Sequence, residues 1–327
     1  MKIYLATEMG GSPFTNFQSQ AIFDSCKIYF TQKISEADVI VAHNFRKLLP
    51  IVIWYPKKKY LVWTNEPRFD TSLKDEICLP FNFANIQIMN VYGKDVFWHN
   101  LHFLASYHFD NSNNLGISIH KSLTHLLKEQ LATSKKLHKI AAVFTNNGVD
   151  KTSLTINGID IDLHQKRCRY ALAGHERDIV EIYGNRWPEG IALDNSGFGF
   201  ERKQPWWMEK IDILSKYKFN LCFENTAYPH YITEKIWHAI VAHNLPVYNS
   251  FNSSIYEIFP QNSFVDSSLF KNEQAMFNYI ETMPLDEYLE RLNTCVDVFN
   301  RMLKIRRVNY GDNEKEITVK IINRLLA

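Results

Sequence analysis

The sequence predicts an α/β protein built from two doubly wound domains, and three observations carry that expectation. Short apolar runs rich in β-branched and aromatic residues recur along the chain, separated by helical or polar stretches. Within the runs the apolar residues are continuous rather than alternating, as in parallel strands covered on both faces. The runs also fall into two sets, each within about 130–170 residues, which is the size of one domain.

The first set comprises residues 2–7, 37–42 (ADVIVA), 60–63 (YLVW) and 86–91 (IQIMNV). The second comprises residues 139–144 (KIAAVF), 178–183 (DIVEIY), 218–223 (KFNLCF) and 245–248 (LPVY). Between the sets, a polar stretch at 110–116 (DNSNNLG) precedes residues 120–139, which read as an amphipathic helix with Leu123, Leu126, Leu127 and Leu131 on one stripe. Residues 285–307 read as another helix, with Leu285, Tyr288, Leu292, Val296, Phe299 and Leu303 at helical spacing. The expected division is 1–135, 136–305 and a helical tail at 306–327.

Composition narrows the function classes. The 327 residues carry 37 basic against 35 acidic side chains, a net charge of +2 that offers no electrostatic footprint for nucleic acid. Cys26, Cys78, Cys168, Cys222 and Cys295 are scattered and form no C-x-x-C pair, which points to reduced thiols and neither a disulfide framework nor a zinc site. The first residues, MKIYLATEMGGSP, lack the charged head and apolar stretch of a secretion signal. No apolar run approaches the roughly 18–20 residues of a membrane span. The expectation is a soluble, cytoplasmic protein, with peripheral membrane contact left open.

Residues 223–237, FENTAYPHYITEKIW, concentrate polar chemistry where a strand passes through a turn into a helix. Thr233 is placed to cap the helix, and Ile236, Trp237, Ile240 and Val241 supply its buried stripe. A strand end facing a helix N-terminus is the ordinary anion site of an open α/β sheet, because free N–H groups and the positive end of the dipole point into the crevice. Lys235 adds a cation where the dipole is already positive, at a cost of roughly 0.3–1 kcal/mol that a bound dianion would reverse. Glu234 sits where any helix favours an acid, and Glu224 reads as a loop-orienting acceptor. On physics alone, a phosphate loop and a plain capped helix both fit.

The wider stretch 217–248, YKFNLCFENTAYPHYITEKIWHAIVAHNLPVY, resembles the signature of the α1,3/α1,4-fucosyltransferases, glycosyltransferase family 10. In that family a strand ending in F-E-N-[ST] leads to Y-[IV]-T-E-K, a helix and a strand with P-[VI]. The likeness covers residues 139–305 best and fades towards the N-terminus. It implies two Rossmann-like doubly wound domains facing a cleft (the GT-B arrangement). It further implies inverting transfer of L-fucose from GDP-β-L-fucose to a hydroxyl of a glycan or glycolipid-linked acceptor, with an α1,3 or α1,4 bond to a GlcNAc-type residue expected. No cofactor is implied, and donor binding needs no metal. A bacterial-type, soluble member is expected.

The resemblance assigns Asn225, Tyr231, Glu234 and Lys235 to the donor, with Lys235 on the pyrophosphate and Glu234 on the ribose or the sugar. A family arginine lies seventeen residues before the glycine of a Y-G pair. Arg167 stands at that spacing from Gly184, with Arg169 second and Asn146 and Glu224 as further donor-side candidates. The family base is a glutamate just after a first-domain strand. Here YLVWTNEPRFD places Glu66 there, followed directly by Pro67 where the family has an intervening residue, with Asp70 in reserve. A carboxylate takes the acceptor's proton, and cations hold the departing diphosphate. The D-x-D at Asp160–Asp162 follows an Asn-Gly turn and reads as turn chemistry, and the twelve histidines show no metal-ligand spacing. The alternatives are a transferase of the same fold using another nucleotide sugar, or a non-catalytic glycan- or nucleotide-binding protein.

Overall fold

The computed structural model describes residues 1–9, 12–64, 66–67, 75–90, 92, 122–147, 154–194 and 206–327. The chain divides into two compact units, Met1–His102 with Arg306–Ala327, and Phe103–Ile305. The described residues 122–135 fall in the second unit, and the helical tail at 306–327 falls in the first. The polar stretch at 110–116 lies outside the described residues.

Among its described residues the first unit holds six strands: β1 (Lys2–Leu5), β2 (Tyr29–Phe30), β3 (Val39–Ala42), β4 (Lys59–Thr64), β5 (Glu76–Cys78) and β6 (Asn85–Asn90). Their order is β2-β1-β3-β4-β6-β5, parallel except for the β5–β6 pair. The order reverses direction between β1 and β3, as in other doubly wound sheets. Val39 and Val41 pack on one face with Leu61, Trp63, Ile321, Ile322 and Leu325. Ile40 and Ala42 pack on the other with Leu48, Val52, Tyr60 and Val62. Burial on both faces is why ADVIVA reads as continuous apolar sequence.

The second unit holds β7 (Leu137–Val143), the antiparallel pair β8 (Thr155–Ile156) and β9 (Ile159–Asp160), then β10 (Val180–Tyr183), β11 (Ala192–Asp194), β12 (Tyr217–Leu221), β13 (Leu245–Tyr248) and β14 (Val265–Asp266). The main sheet is ordered β11-β10-β7-β12-β13-β14 and is parallel throughout. Counted along the chain this is 3-2-1-4-5-6, the Rossmann order, whose switch point lies between β7 and β12. The Y-G pair has a local reason too. Gly184 has φ +120°, and a Cβ there would stand 2.4 Å from the Phe144 carbonyl oxygen, so only glycine lets β10 turn against the end of β7.

One expected element is corrected. Residues 122–127 are not helical, and the helix at this place is only Lys128–Thr133, with β7 beginning at Leu137. The leucine spacing misleads because side chains of the long helix Leu285–Leu326 take over the backbone of the preceding segment. Asn300 Oδ1 accepts from Leu123 N at 2.8 Å while its Nδ2 donates to Leu123 O at 2.9 Å. Asn293 does the same for Leu126 at 2.8 and 3.1 Å. The expected helix at 285–307 is present, with Tyr288, Leu292, Val296, Phe299 and Leu303 buried and Leu285 exposed.

Candidate functional site

The carboxyl ends of β7 and β12 bring together the loop at 144–147, the start of helix Leu163–Glu176 and the stretch 222–235. In an open parallel sheet this is the crevice where ligands bind. Asp162 opens helix Leu163–Glu176 by accepting from the backbone N–H groups of His164 and Gln165, and Asp160 accepts from Asp162 N. The D-x-D is therefore turn and cap chemistry, as its sequence context suggests.

Arg167 is buried one turn into that helix. Its guanidinium lies 4.5 Å over the Phe144 ring, one nitrogen meets His164 Nδ1 at 2.7 Å, and another reaches the Phe223 carbonyl oxygen at 3.5 Å. His164 does more than hold the arginine. Its Nε2 accepts from Asn147 N at 2.9 Å, and its backbone N–H donates to Asn225 O at 3.0 Å. One histidine thus ties the loop after β7 to the loop after β12. Asn146 is buried beside it and accepts from the Cys168 thiol at 3.6 Å, and burial pushes that thiol up to about 11. Arg169 is exposed and lies 3.9 Å from Glu273, so of the two arginines only Arg167 points into the crevice loops.

The second cation is built around Glu224. This carboxylate is 1% exposed at the end of the β12 run. Its Oε1 accepts from Thr233 N at 2.6 Å, and its Oε2 accepts from the Thr233 hydroxyl at 2.8 Å and lies 3.0 Å from Lys235 Nζ. Lys235 Nζ also donates to Thr233 Oγ1 at 2.6 Å and stands 3.5 Å from Glu234. Thr233 occupies the N-cap position of helix Glu234–Val241, but its hydroxyl is directed at Glu224 and does not cap the helix. Burial raises the Glu224 carboxyl; Lys235 opposes that rise, and Glu234 adds to it. Tyr231 is buried, with the lysine nitrogen 5.8 Å from its ring centre. Asn225 accepts from the Thr226 hydroxyl at 2.8 Å. Arg167 and Lys235 therefore anchor on consecutive residues, Phe223 and Glu224.

Sequence reasoning missed two members of this neighbourhood. His164 stands three residues before Arg167 on one helix face, a spacing that a search for cation partners would find. Lys210 is buried in helix Trp206–Leu214, on the stripe of Trp207 and Leu214, so a lysine on an apolar stripe was its signal. Burial pushes its ammonium down to about 8, with Glu234 opposing and Lys235 reinforcing that shift. In the first unit, Glu66 is half-buried beyond the carboxyl end of β4, where its N–H donates to Thr64 Oγ1 at 3.1 Å and its carbonyl accepts from the same hydroxyl at 3.0 Å. Asp70 lies outside the described residues.

Residues 165–292, which contain Arg167 and the whole 223–237 stretch, match the family described as Glycosyltransferase family 10 (fucosyltransferase) C-term. Over these residues the chain is similar to the C-terminal domain of that family. The chain is 44% identical over 72 residues to the alpha-(1,3)-fucosyltransferase of Helicobacter pylori, covering 22% of this chain and 15% of that protein. It is 37% identical over 78 residues to the human 4-galactosyl-N-acetylglucosaminide 3-alpha-L-fucosyltransferase, covering 23% and 22%. The human 3-galactosyl-N-acetylglucosaminide 4-alpha-L-fucosyltransferase matches at the same 37% over 78 residues. These matches span less than a quarter of each relative's length. Among solved structures, an alpha1,3-fucosyltransferase with GDP-fucose is 20% identical over 93% of this chain and 90% of that one, at a TM-score of 0.46. The T4 phage beta-glucosyltransferase with UDP-glucose is 13% identical over 97% and 99%, also at 0.46.

Proposed function

We propose that the chain is an inverting glycosyltransferase that moves L-fucose from GDP-β-L-fucose to a hydroxyl of a glycan acceptor, forming an α1,3 or α1,4 bond to a GlcNAc-type residue in the cytoplasm. The observation that carries this reading is the coincidence of the family 10 motif with the switch point of a Rossmann-ordered sheet. There Arg167 and Lys235 are anchored on neighbouring residues at the strand end. Both cations are pre-set by protein partners, so they need no reorganisation when a diphosphate arrives.

In the proposed reaction the acceptor hydroxyl attacks the anomeric carbon of fucose as the bond to GDP breaks. Glu66 takes the hydroxyl proton. Arg167, Lys235 and the N–H groups at the start of helix Glu234–Val241 stabilise the charge that accumulates on the leaving diphosphate. Asn225 and Tyr231 line the donor pocket, and Glu234 meets the ribose or the sugar. Donor binding in this scheme uses no metal, so turnover persists in EDTA.

Mass spectrometry of reactions with N-acetyllactosamine-type acceptors tests the transfer: one added deoxyhexose per acceptor is expected with GDP-fucose, and none with GDP-mannose or UDP-sugars. A stabilising thermal shift with UDP-sugars but not with GDP-fucose would overturn the donor. Glu66→Gln lowers kcat by a factor of about 10²–10⁴ if Glu66 is the base. Unchanged turnover in that variant moves the base elsewhere.

A further inference from the structure

The first unit carries a second feature, at the edge of its sheet opposite Glu66, which none of the chemistry above uses. Helix Phe45–Trp54 runs back from the carboxyl end of β3 to the start of β4, so its last residues emerge at the amino edge of the parallel strands. There Ile53 and Trp54 are 66% and 81% exposed. The turn between β5 and β6 reaches the same edge, because Cys78 pairs with Asn85 and Ile86 pairs with Tyr60 near the start of β4. Phe81 in that turn is fully exposed and Phe83 is about half exposed. Phe81 also has φ +59°, a left-handed backbone that costs a non-glycine residue about 1 kcal/mol with no burial to offset it.

These side chains are interleaved with cations. Lys57 and Lys59 are exposed on either side of Lys58, whose Nζ is fixed on the carbonyl oxygens of Ser35, at 3.0 Å, and Ala37. Lys27 and Lys33 are exposed at the entry to β2 and just beyond its far end. Nearby acids are engaged: Glu36 with Lys2 and Lys33 at 3.0 and 3.2 Å, and Asp38 with the Lys2 N–H at 2.7 Å. Asp24 and Glu76 each accept from a neighbouring amide. The chain's net charge of +2 hides this local excess of lysines.

We propose that this edge is a docking surface for an anionic lipid bilayer, with Trp54 and Phe81 seated at headgroup depth and Lys57 and Lys59 against lipid phosphates. Aromatic rings and lysines on one surface are what the bilayer interface selects, since each offers an apolar body to the acyl boundary and a polar or charged tip to the headgroups. An acidic protein would satisfy the lysines but gives no reason for a strained, fully exposed phenylalanine. With β4 spanning about 20 Å at ~3.3 Å per residue, a bilayer at its amino end leaves the Glu66 edge facing the aqueous phase. The inference holds whether or not the chain transfers fucose.

The test is co-sedimentation of the full chain with phosphatidylcholine vesicles, with and without phosphatidylglycerol. Binding is expected only to the anionic vesicles and is expected to fall with added salt. Lys57→Gln with Lys59→Gln should weaken it about thirtyfold, the equivalent of ~1 kcal/mol per lysine. Trp54→Ala with Phe81→Ser should lose binding while melting like the parent, since both side chains are already in solvent. Quenching by brominated phosphatidylglycerol should drop in Trp54→Phe. Equal binding to both vesicle types, or undiminished binding by both double variants, would overturn the proposal. Capture on heparin without vesicle binding would assign the lysines to another polyanion and also overturn it.

Discussion

At the residue scale, Lys235 shows how one side chain reads differently from sequence and from structure. A lysine in the first turn of a helix opposes the dipole, and that misfit was visible in TEKIW. What was not visible is that the protein supplies its own anion, Glu224, eleven positions earlier, 3.0 Å away and buried. Replacing Glu224 with Gln is expected to cost roughly 1–3 kcal/mol in urea unfolding, since an acceptor of two donors and a cation becomes a neutral amide. In a fucose-transfer assay the same variant should raise the donor KM more than it lowers kcat, because it loosens Lys235 without touching the proposed base. Lys210 adds a pH signature. Its ammonium is pushed down to about 8 from 10.5, so between those values the unfolded chain holds a proton the folded chain lacks, and stability rises with pH. Below pH 8 both states are protonated and the burial cost is constant. Lys136 is likewise pushed down to about 8 by burial, so urea unfolding of the parent and Lys210→Met, followed from pH 7 to 10, should show a rise in both that is steeper in the parent, the difference bounded by about 1.4 kcal/mol per pH unit.

At the scale of elements, the strands were legible because burial on both faces writes itself as unbroken apolar sequence. Residues 245–248 coincide with β13, and the other seven runs differ from β1, β3, β4, β6, β7, β10 and β12 only at their ends. The helix expected at 120–139 fails for the opposite reason. Leu123 and Leu126 keep a helical spacing, but the side-chain amides of Asn293 and Asn300, seven positions apart and so two turns along one helix face, take both hydrogen bonds of each leucine's backbone. Partners more than 160 positions away leave no local trace. Asn293→Ala and Asn300→Ala should each lose about 1 kcal/mol of stability. Hydrogen exchange at Leu123 and Leu126 should quicken in the variants, while that of β7 stays slow.

At the scale of the whole molecule, the last helix is the element that sequence order misplaces. Read along the chain, 306–327 is a helical tail that follows the second domain. In the fold it belongs to the first unit, where Ile321, Ile322 and Leu325 are buried against Leu61 and Trp63 and the Thr318 hydroxyl donates to Ser19 at 2.9 Å. Removing residues 306–327 should therefore unfold the first unit, because each buried aliphatic side chain is worth about 2–5 kcal/mol against a total of about 5–15. Limited proteolysis checks this, with new cleavage expected within 1–102. By itself the sequence determined the mostly parallel sheets of both units and the stretch 223–237 that places a lysine at a helix start, since each is written in local periodicity or in a contiguous stretch. Only tertiary structure decided that Glu224 and His164 hold Lys235 and Arg167, that Lys210 lies among them, and that the chain's last turns complete its first core. Those pairings join side chains across the sheet or from opposite ends of the chain, and free energy of burial depends on neighbours in space, which sequence order does not record.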